Sequence, residues 1–258
     1  IWDRQLKKLF LARDYMGVKP LYYSYNNNKF LFSSEIKGLL KISDTSITAN
    51  LSSIFKHLTF MWSPEQETAF KAIYKLNPGE IIEIDNKNKM IVSKWHNNSF
   101  HKMKKQNINK NDLINEVSLK IENSVKKQLV SDVDIGVLLS GGVDSSLITS
   151  IALKNNPKIS AFTIFFPEGN EEEMAEDYKY TKFFCEKNSI KLNKINFSYK
   201  NIDTDIEKII YFLDEPISDL AALNLFYISN LARDYNHKVL LSGAGADDIF
   251  SGYRRHRA

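Results

Sequence analysis

Hydrophobic positions change their period near the middle of this chain. Up to about residue 96 they cluster in short runs, Leu9-Phe10-Leu11-Ala12, Pro20-Leu21-Tyr22-Tyr23 and Lys29-Phe30-Leu31-Phe32-Ser33, separated by turn formers such as Asn26-Asn27-Asn28. Short runs rich in aromatic and branched residues predict strands. Residues 72–76 and 80–84 add two extended pieces around the Pro78-Gly79 turn. The first part of the chain therefore reads as β-rich. From residue 112 the period becomes helical: Leu113, Ile114, Val117, Ile121 and Val125 mark one amphipathic face, with Asp112 as its candidate N-cap. Strand and helix patterns then alternate, with strands at 135–140, 159–166, 190–197 and 238–242 and helices at 145–154, 176–188, 203–213 and 220–235. Such alternation predicts a parallel sheet covered by helices on both faces.

The stretch between the two patterns is rich in asparagine and lysine, including Lys102, Lys104 and Lys105, and reads as a linker. The division is then 1–96, 97–111 and 112–258. Much of the excess charge behind the net +4 sits in that linker, and no aromatics are interleaved there for stacking on bases. A nucleic-acid partner is not expected. Hydrophobic residues make up 43% and charged residues 26%, an ordinary balance for a water-soluble protein. No apolar run approaches membrane-spanning length and no signal-peptide pattern opens the chain, so no membrane is expected and the cytoplasm is the default location. His57, His96, His101, His237 and His256 form no i, i+4 ligand pair. Cys185 is the single cysteine, which excludes an internal disulfide. It sits beside Phe183 and Phe184 in a helical pattern, as a core residue would. Ile1 stands directly before a strand-like segment, and the chain stops just after a glycine-rich one. The expectation is an internal piece of a longer protein, with apolar edges exposed in its first part and poor solubility in isolation.

Candidate chemistry lies in two glycine turns. Ser140-Gly141-Gly142-Val143-Asp144-Ser145-Ser146 follows the buried run 135–139 and precedes a helical face marked by Leu147, Ile148 and Ile151. A glycine turn between strand and helix brings backbone N–H groups and the positive end of the helix to an anion. The phosphate loop with a Gly-Lys-Ser/Thr ending is excluded, because Asp144 stands where a lysine would be. A carboxylate there repels a bare polyphosphate unless a cation lies between them, which suggests ATP with Mg²⁺ and a pyrophosphate leaving group. The second turn, Ser242-Gly243-Ala244-Gly245-Ala246-Asp247-Asp248, also closes a strand with Ser-Gly and then carries acids. Asp144 and Asp247 could share one Mg²⁺. Each turn taken alone also fits an ordinary solvated loop, and Asp247-Asp248 also fits an acid pair at a helix N-terminus.

With these motifs the chain resembles the asparagine synthetase family, the glutamine-dependent amidotransferases with an N-terminal cysteine nucleophile. Leu11-Ala12-Arg13-Asp14, Gly17-Val18-Lys19-Pro20-Leu21-Tyr22-Tyr23 and Ser33-Ser34-Glu35-Ile36-Lys37 resemble the end of that family's glutaminase domain, and Lys75-Leu76-Asn77-Pro78-Gly79 the turn that follows. Ser140–Ser146, Leu213-Asp214-Glu215-Pro216 and residues 242–253 resemble its synthetase domain. The resemblance implies the C-terminal part of a class II glutamine amidotransferase domain at 1–96 and the first part of a PP-loop, Rossmann-like ATP-pyrophosphatase domain at 112–258. It implies adenylation of aspartate, or of another carboxylate such as a sugar acid, and amide formation with glutamine-derived ammonia. AMP and pyrophosphate would be released. A non-catalytic nucleotide-binding remnant is the reading from a different class. Leu138 and Ile164 would line the adenosine site, although both also fit ordinary strand core. Ser140, Gly141, Gly142, Asp144 and Ser145 would hold the phosphates, Ser242 and Gly243 would bind nucleotide through their backbones, and Asp144 and Asp247 would carry Mg²⁺. A homodimer of the full-length parent is left open.

Four departures from the family pattern qualify the implied activity. The N-terminal cysteine nucleophile has no counterpart at Ile1, so glutamine hydrolysis by this stretch is not expected. Ala244 replaces the family's acid between the two glycines, which leaves no assigned catalytic residue; Asp248 is the neighbouring acid that could substitute. Phe165 stands where the family tends to have a small residue, and the family's lysine-bearing C-terminal helices have no counterpart before Ala258.

Overall fold

The computed structural model describes residues 1–26, 28–42, 47–96, 109–167, 172–198, 202–217, 219 and 221–253, and the linker expected at 97–111 lies largely outside them. Two compact units result, Ile1–Lys105 with Asp205–Leu220, and Gln106–Thr204 with Ala221–Ala258.

The first unit holds two antiparallel sheets. One has the order β1 (Trp2–Asp3), β2 (Lys8–Ala12), β6 (Glu80–Ile84), β7 (Met90–Lys94), and the other the order β4 (Lys29–Ser33), β3 (Tyr22–Asn26), β5 (Tyr74–Lys75). The period of two in β6 buries Glu80, Ile82 and Ile84, and the β2–β6 register sets Leu11 opposite Ile82 and Leu9 opposite Ile84. Leu11, Ile82 and Ile84 then close on Tyr23 and Leu76 as a core, each side chain contributing about 1.5–3 kcal/mol by leaving water. The strand expected from Pro20 begins at Tyr22, and that expected at 72–76 shortens to two residues because Ala72 takes a left-handed φ of 62°.

Two helices in this unit went unread in the sequence. The first, α1 (Ile36–Ile42), buries Ile36 and Leu39 against Ile73. The second, α2 (Leu51–Phe60), starts at Asn50, whose side chain accepts from the Ser53 N–H. Its buried residues are Ser53 and His57, while Leu51, Phe55 and Leu58 are exposed. A helix with polar residues inside and apolar ones outside defeats a reading based on hydrophobic period. Part of α6 (Ile202–Leu213), from Asp205 onward, belongs to this unit.

The second unit contains one parallel sheet of order β10 (Lys191–Asn196), β9 (Ser160–Phe165), β8 (Ile135–Leu138), β11 (Val239–Leu241). This is the α/β architecture that the alternating pattern predicts. One face is covered by α3 (Lys110–Gln128), α4 (Val143–Asn155) and α5 (Glu172–Lys187), where Val125, Ile151, Ala152 and Cys185 meet Val137, Leu139 and Ala161. The other is covered by α7 (Ala221–Asp234), where Ile228 and Ala232 pack on Phe162. Gly136 has no room for a side chain, since a Cβ there would lie 2.6 Å from Phe162 Cε2 and 2.7 Å from Leu240 Cδ2. The N-cap of α3 is Asn109, whose side chain accepts from the Asn111 N–H, rather than Asp112, which sits in the first turn. Likewise α4 begins at Val143, two residues before the expected start, which places Asp144 and Ser145 in its first turn.

Strand order fixes where a ligand can enter. From β8 the chain steps to β9 and then β10 on one side, and only β11 returns to the other side of β8. The gap outside the carboxyl ends of β8 and β11 is the switch point at which open parallel sheets bind ligands. Both glycine turns follow those two strands directly.

Candidate functional site

A cleft of about 670 Å³ opens at that switch point. Its lining includes Leu138, Ser140, Gly142, Asp144, Ser145, Ile164, Ser242, Gly243, Ala244 and Asp247, so nearly all the residues singled out from sequence meet in one place. Gly141 is outside the lining; it bends the turn from behind with φ 84°. A Cβ at Gly141 would stand 2.2 Å from the Asp177 carbonyl oxygen of α5, so glycine is needed for both conformation and space.

The turn is braced by Ser145. Its buried hydroxyl donates to the Gly142 carbonyl (3.1 Å), accepts from the Ser140 N–H (3.3 Å) and lies 3.1 Å from Ser140 Oγ. Thr149 Oγ1 then donates to the Ser145 carbonyl at 2.7 Å. Gly142 occupies the N-cap of α4 and supplies no side-chain cap. Among the described residues the first-turn N–H groups of Val143, Asp144 and Ser145 have no side-chain cap and are left for a ligand, at the positive end of the helix dipole. That is the electrostatic design of an anion site.

The second turn is pressed onto the first. A Cβ on Gly243 would lie 2.9 Å from the Ser145 amide nitrogen and 3.1 Å from both the carbonyl carbon and Cβ of Asp144. Ser242 Oγ accepts from the Ala244 N–H at 3.1 Å, and Gly245, with φ 89°, leads into the short helix α8 (Ala246–Phe250). Asp144 and Asp247 border the same cleft as the open amides, whereas Asp248 is exposed and is not in the lining. Among the described residues no cluster of three or more His, Cys, Asp or Glu side chains could hold a metal by itself. An oxygen-seeking divalent cation still fits two carboxylates, provided an anionic ligand supplies the other oxygens.

Leu138 and Ile164 pack against the Phe162–Ile228–Ala232 cluster as strand core, and they also border the cleft. Phe165 is outside the lining. Its ring lies 4.6 Å from that of Tyr178, with Lys194 Nζ 5.1 Å above it. Phe166 lines the cleft instead. Thr163, Tyr178, Thr181 and Asn224 also line it and had no sequence signal, because they come from a strand end and from faces of α5 and α7 that carry no motif.

Comparison with known proteins agrees with this geometry. The profile of the asparagine synthase family matches residues 116–258, more than half of the chain. The chain belongs to the asparagine synthase family. A glutamine amidotransferase domain profile matches residues 1–96. Asparagine synthetase (glutamine-hydrolyzing) 1 of Bacillus subtilis is 29% identical over 257 residues, covering 100% of this chain and 39% of that protein. A putative asparagine synthetase (glutamine-hydrolyzing) 2 of Methanocaldococcus jannaschii is also 29% identical, over 99% of this chain and 49% of its own length. The chain thus spans less than half the length of these curated relatives. Among solved structures, a U34-tRNA thiolase from Methanococcus maripaludis overlaps 57% of this chain and 53% of its own with TM-score 0.40 and 18% identity.

Other motifs that carry the resemblance act as structural braces. The Arg13 guanidinium donates to the carbonyls of Leu76 (2.7 Å), Gly17 (2.8 Å) and Lys19 (3.0 Å). The Asp14 carboxylate accepts from the N–H groups of Met16, Val18 and Lys19; burial pushes its carboxyl up, but these backbone bonds outweigh it and hold it below the usual range. Asp214 and Glu215 fall inside the asparagine synthase match in sequence, yet they pack within the first unit. Asp214 accepts from the Ile36 N–H (2.8 Å) and pairs with Lys37 Nζ (2.9 Å). Glu215 accepts from the Ala69 N–H at 3.1 Å, beside His57 Nε2 at 3.3 Å and Lys75 Nζ at 3.9 Å. Cys185 is buried in α5, and burial, with a smaller push from Glu186, raises its thiol to about 11. A thiol so protonated is not a nucleophile at neutral pH.

Proposed function

We propose that this protein is an ATP-dependent amidotransferase that adenylates aspartate and converts it to asparagine with glutamine-derived ammonia. One observation carries the reading: two glycine turns on neighbouring strand ends share a cleft with open helix N–H groups, two carboxylates and an apolar flank. The names of the relatives that match the chain from end to end support the same chemistry. In this reading the N–H groups of residues 141–145 hold the phosphates, Ser242 and Gly243 contact the nucleotide through their backbones, and Leu138 and Ile164 flank the adenosine. Asp144 and Asp247 would hold Mg²⁺, which would supply positive charge to offset that of the pyrophosphate.

The atoms balance simply. A carboxylate oxygen of aspartate attacks the α-phosphorus, the bond from that phosphorus to the bridging oxygen breaks, and pyrophosphate leaves with the electron pair. Ammonia then adds to the acyl carbon, AMP leaves with the C–O electron pair, and the nitrogen gives up a proton. The test is pyrophosphate release by the full-length protein with ATP, aspartate and ammonia. Asp144→Asn lowers that rate by about 100-fold or more, because it removes a charge that acts at the reacting phosphates. A full-length protein that releases no pyrophosphate with any carboxylate and ammonia would sink the proposal.

Ala244 favours a second reading with another acceptor. It borders the cleft and offers no acid where the family pattern has one. Faster adenylation of a sugar acid than of aspartate would establish that reading in place of the first. We place the enzyme in the cytoplasm, working on small molecules without nucleic-acid or membrane partners; among the described residues no helix is long and apolar enough to cross a membrane.

A further inference from the structure

Thr181, one of the residues that line the cleft, carries an unused hydrogen-bonding group. Its side chain is 0% exposed, and Oγ1 has no partner among the described residues. A helical threonine commonly returns its hydroxyl to the carbonyl four residues earlier, here that of Asp177. That bond is not made here, and the glycine turn packs close to both groups: a Cβ on Gly141 would lie 2.2 Å from the Asp177 carbonyl oxygen and 3.1 Å from Thr181 Oγ1. A buried hydroxyl without a partner is a net burden on folding. Valine would fill the same volume without that burden, so packing alone gives no reason for a threonine.

The surroundings specify what the hydroxyl meets. Thr181 lines the cleft together with Ser140, Gly142 and Asp144, at the turn whose first helical N–H groups are open. Those groups are all donors. A species that satisfies them and a hydroxyl together must carry several lone pairs close to one another, as the oxygens of a phosphate do. We propose that Thr181 is a further binding residue of the nucleotide site, its Oγ1–H donating to an anionic oxygen of the polyphosphate held at the Gly141–Ser145 turn. This rests on the nucleotide reading given above and assigns to Thr181 a contact that no motif indicates.

The experiment titrates the full-length protein with ATP and with inorganic pyrophosphate, both with Mg²⁺, for wild type, Thr181→Val and Thr181→Ser. Thermal unfolding of each is followed alongside. Thr181→Val weakens both ligands by about tenfold, as expected for one hydrogen bond to a charged group. Thr181→Ser, which keeps the hydroxyl, stays within about threefold of wild type. The melting temperature of the ligand-free valine variant stays level or rises, because an unsatisfied hydroxyl has been replaced by a methyl group. Unchanged binding in Thr181→Val overturns the proposal. So does a loss of binding accompanied by a lowered melting temperature, or a serine variant as weak as the valine one. A wild-type protein that binds neither ATP nor pyrophosphate overturns the nucleotide reading itself, and this contact with it.

Discussion

Glu215 in the first unit and Thr181 in the second are both buried polar groups, and their surroundings differ in kind. Glu215 is met by the Ala69 N–H, by His57 and by Lys75, and its neighbour Asp214 by two N–H groups and Lys37. Thr181 Oγ1 has no hydrogen-bond partner among the described residues, and the first-turn amides of α4 beside it have no side-chain cap. A buried acid with several partners holds a fold together, because removing it strands those partners away from water. This is so even though His57 Nδ1 and Lys37 Nζ of this cluster make no hydrogen bond of their own among the described residues. A set of polar groups without partners is incomplete until a ligand arrives. The same contrast separates the braced Arg13–Asp14 loop from the Asp144–Asp247 cleft, although all four residues belong to motifs that resemble one family.

The largest test of the contrast is Glu215→Ala. Removing one member of a buried charged group costs about 3–5 kcal/mol, and here it leaves the Ala69 N–H without its acceptor and Lys75, which donates to the Ser63 carbonyl at 2.8 Å, without its counter-charge. Lys75 is the weak point, since burial already pushes its ammonium below the ordinary lysine range while Glu215 supports the charged form. Urea unfolding of the full chain should show a first unit that opens at lower denaturant, with Glu215→Gln less affected because it retains an acceptor. If Glu215→Ala unfolds like wild type, the cluster is not what secures residues 205–220 to that unit.

A smaller effect is expected at the glycines of the cleft, and it should be uneven. Gly243→Ala drives a methyl into the Ser145 amide and the Asp144 backbone, an overpacking of about 1–3 kcal/mol that moves one turn away from the other. ATP affinity should fall by about tenfold or more. Gly142→Ala meets only Ser140 Oγ, at 3.6 Å, and the backbone there is extended with φ −70°. It should cost about 1 kcal/mol or less. Equal losses in the two variants would mean that the turns do not bind one ligand together.

How far the sequence could be read follows the same physical line. In the second unit the central strands β8 and β9 are largely buried on both faces, so apolar runs and glycine turns announce them, and Ser140, Asp144, Ser242 and Asp247 could be picked out before any coordinates. The helices of the first unit stayed hidden because α2 turns Ser53 and His57 inward and Phe55 and Leu58 outward. Thr181 and Asn224 stayed hidden for another reason: each is a single residue on a helix face, and only the folded chain brings it to the switch point. Asp214 and Glu215 were legible as a motif and not as a place, since nothing in Leu213-Asp214-Glu215-Pro216 says which unit will receive the two acids.

The smallest expected effect uses Cys185 as an internal reporter of the second unit. Its thiol is 3% exposed within the α3–α4–α5 core, and burial raises it from an ordinary 9.0 to about 11. A folded pKa above the unfolded one means that the unfolded state gives up its proton first. The contribution to stability is therefore whole below about pH 9 and is lost as pH rises toward about 11. Cys185→Ala should flatten the alkaline fall in stability across that window, at the cost of the small cavity it creates. At pH 8 the native thiol should resist alkylation for as long as the second unit stays closed, and react readily once urea opens it. Rapid labelling under native conditions would show that this core opens easily, and the contrast between a cleft with open groups and a closed core behind it would then fail.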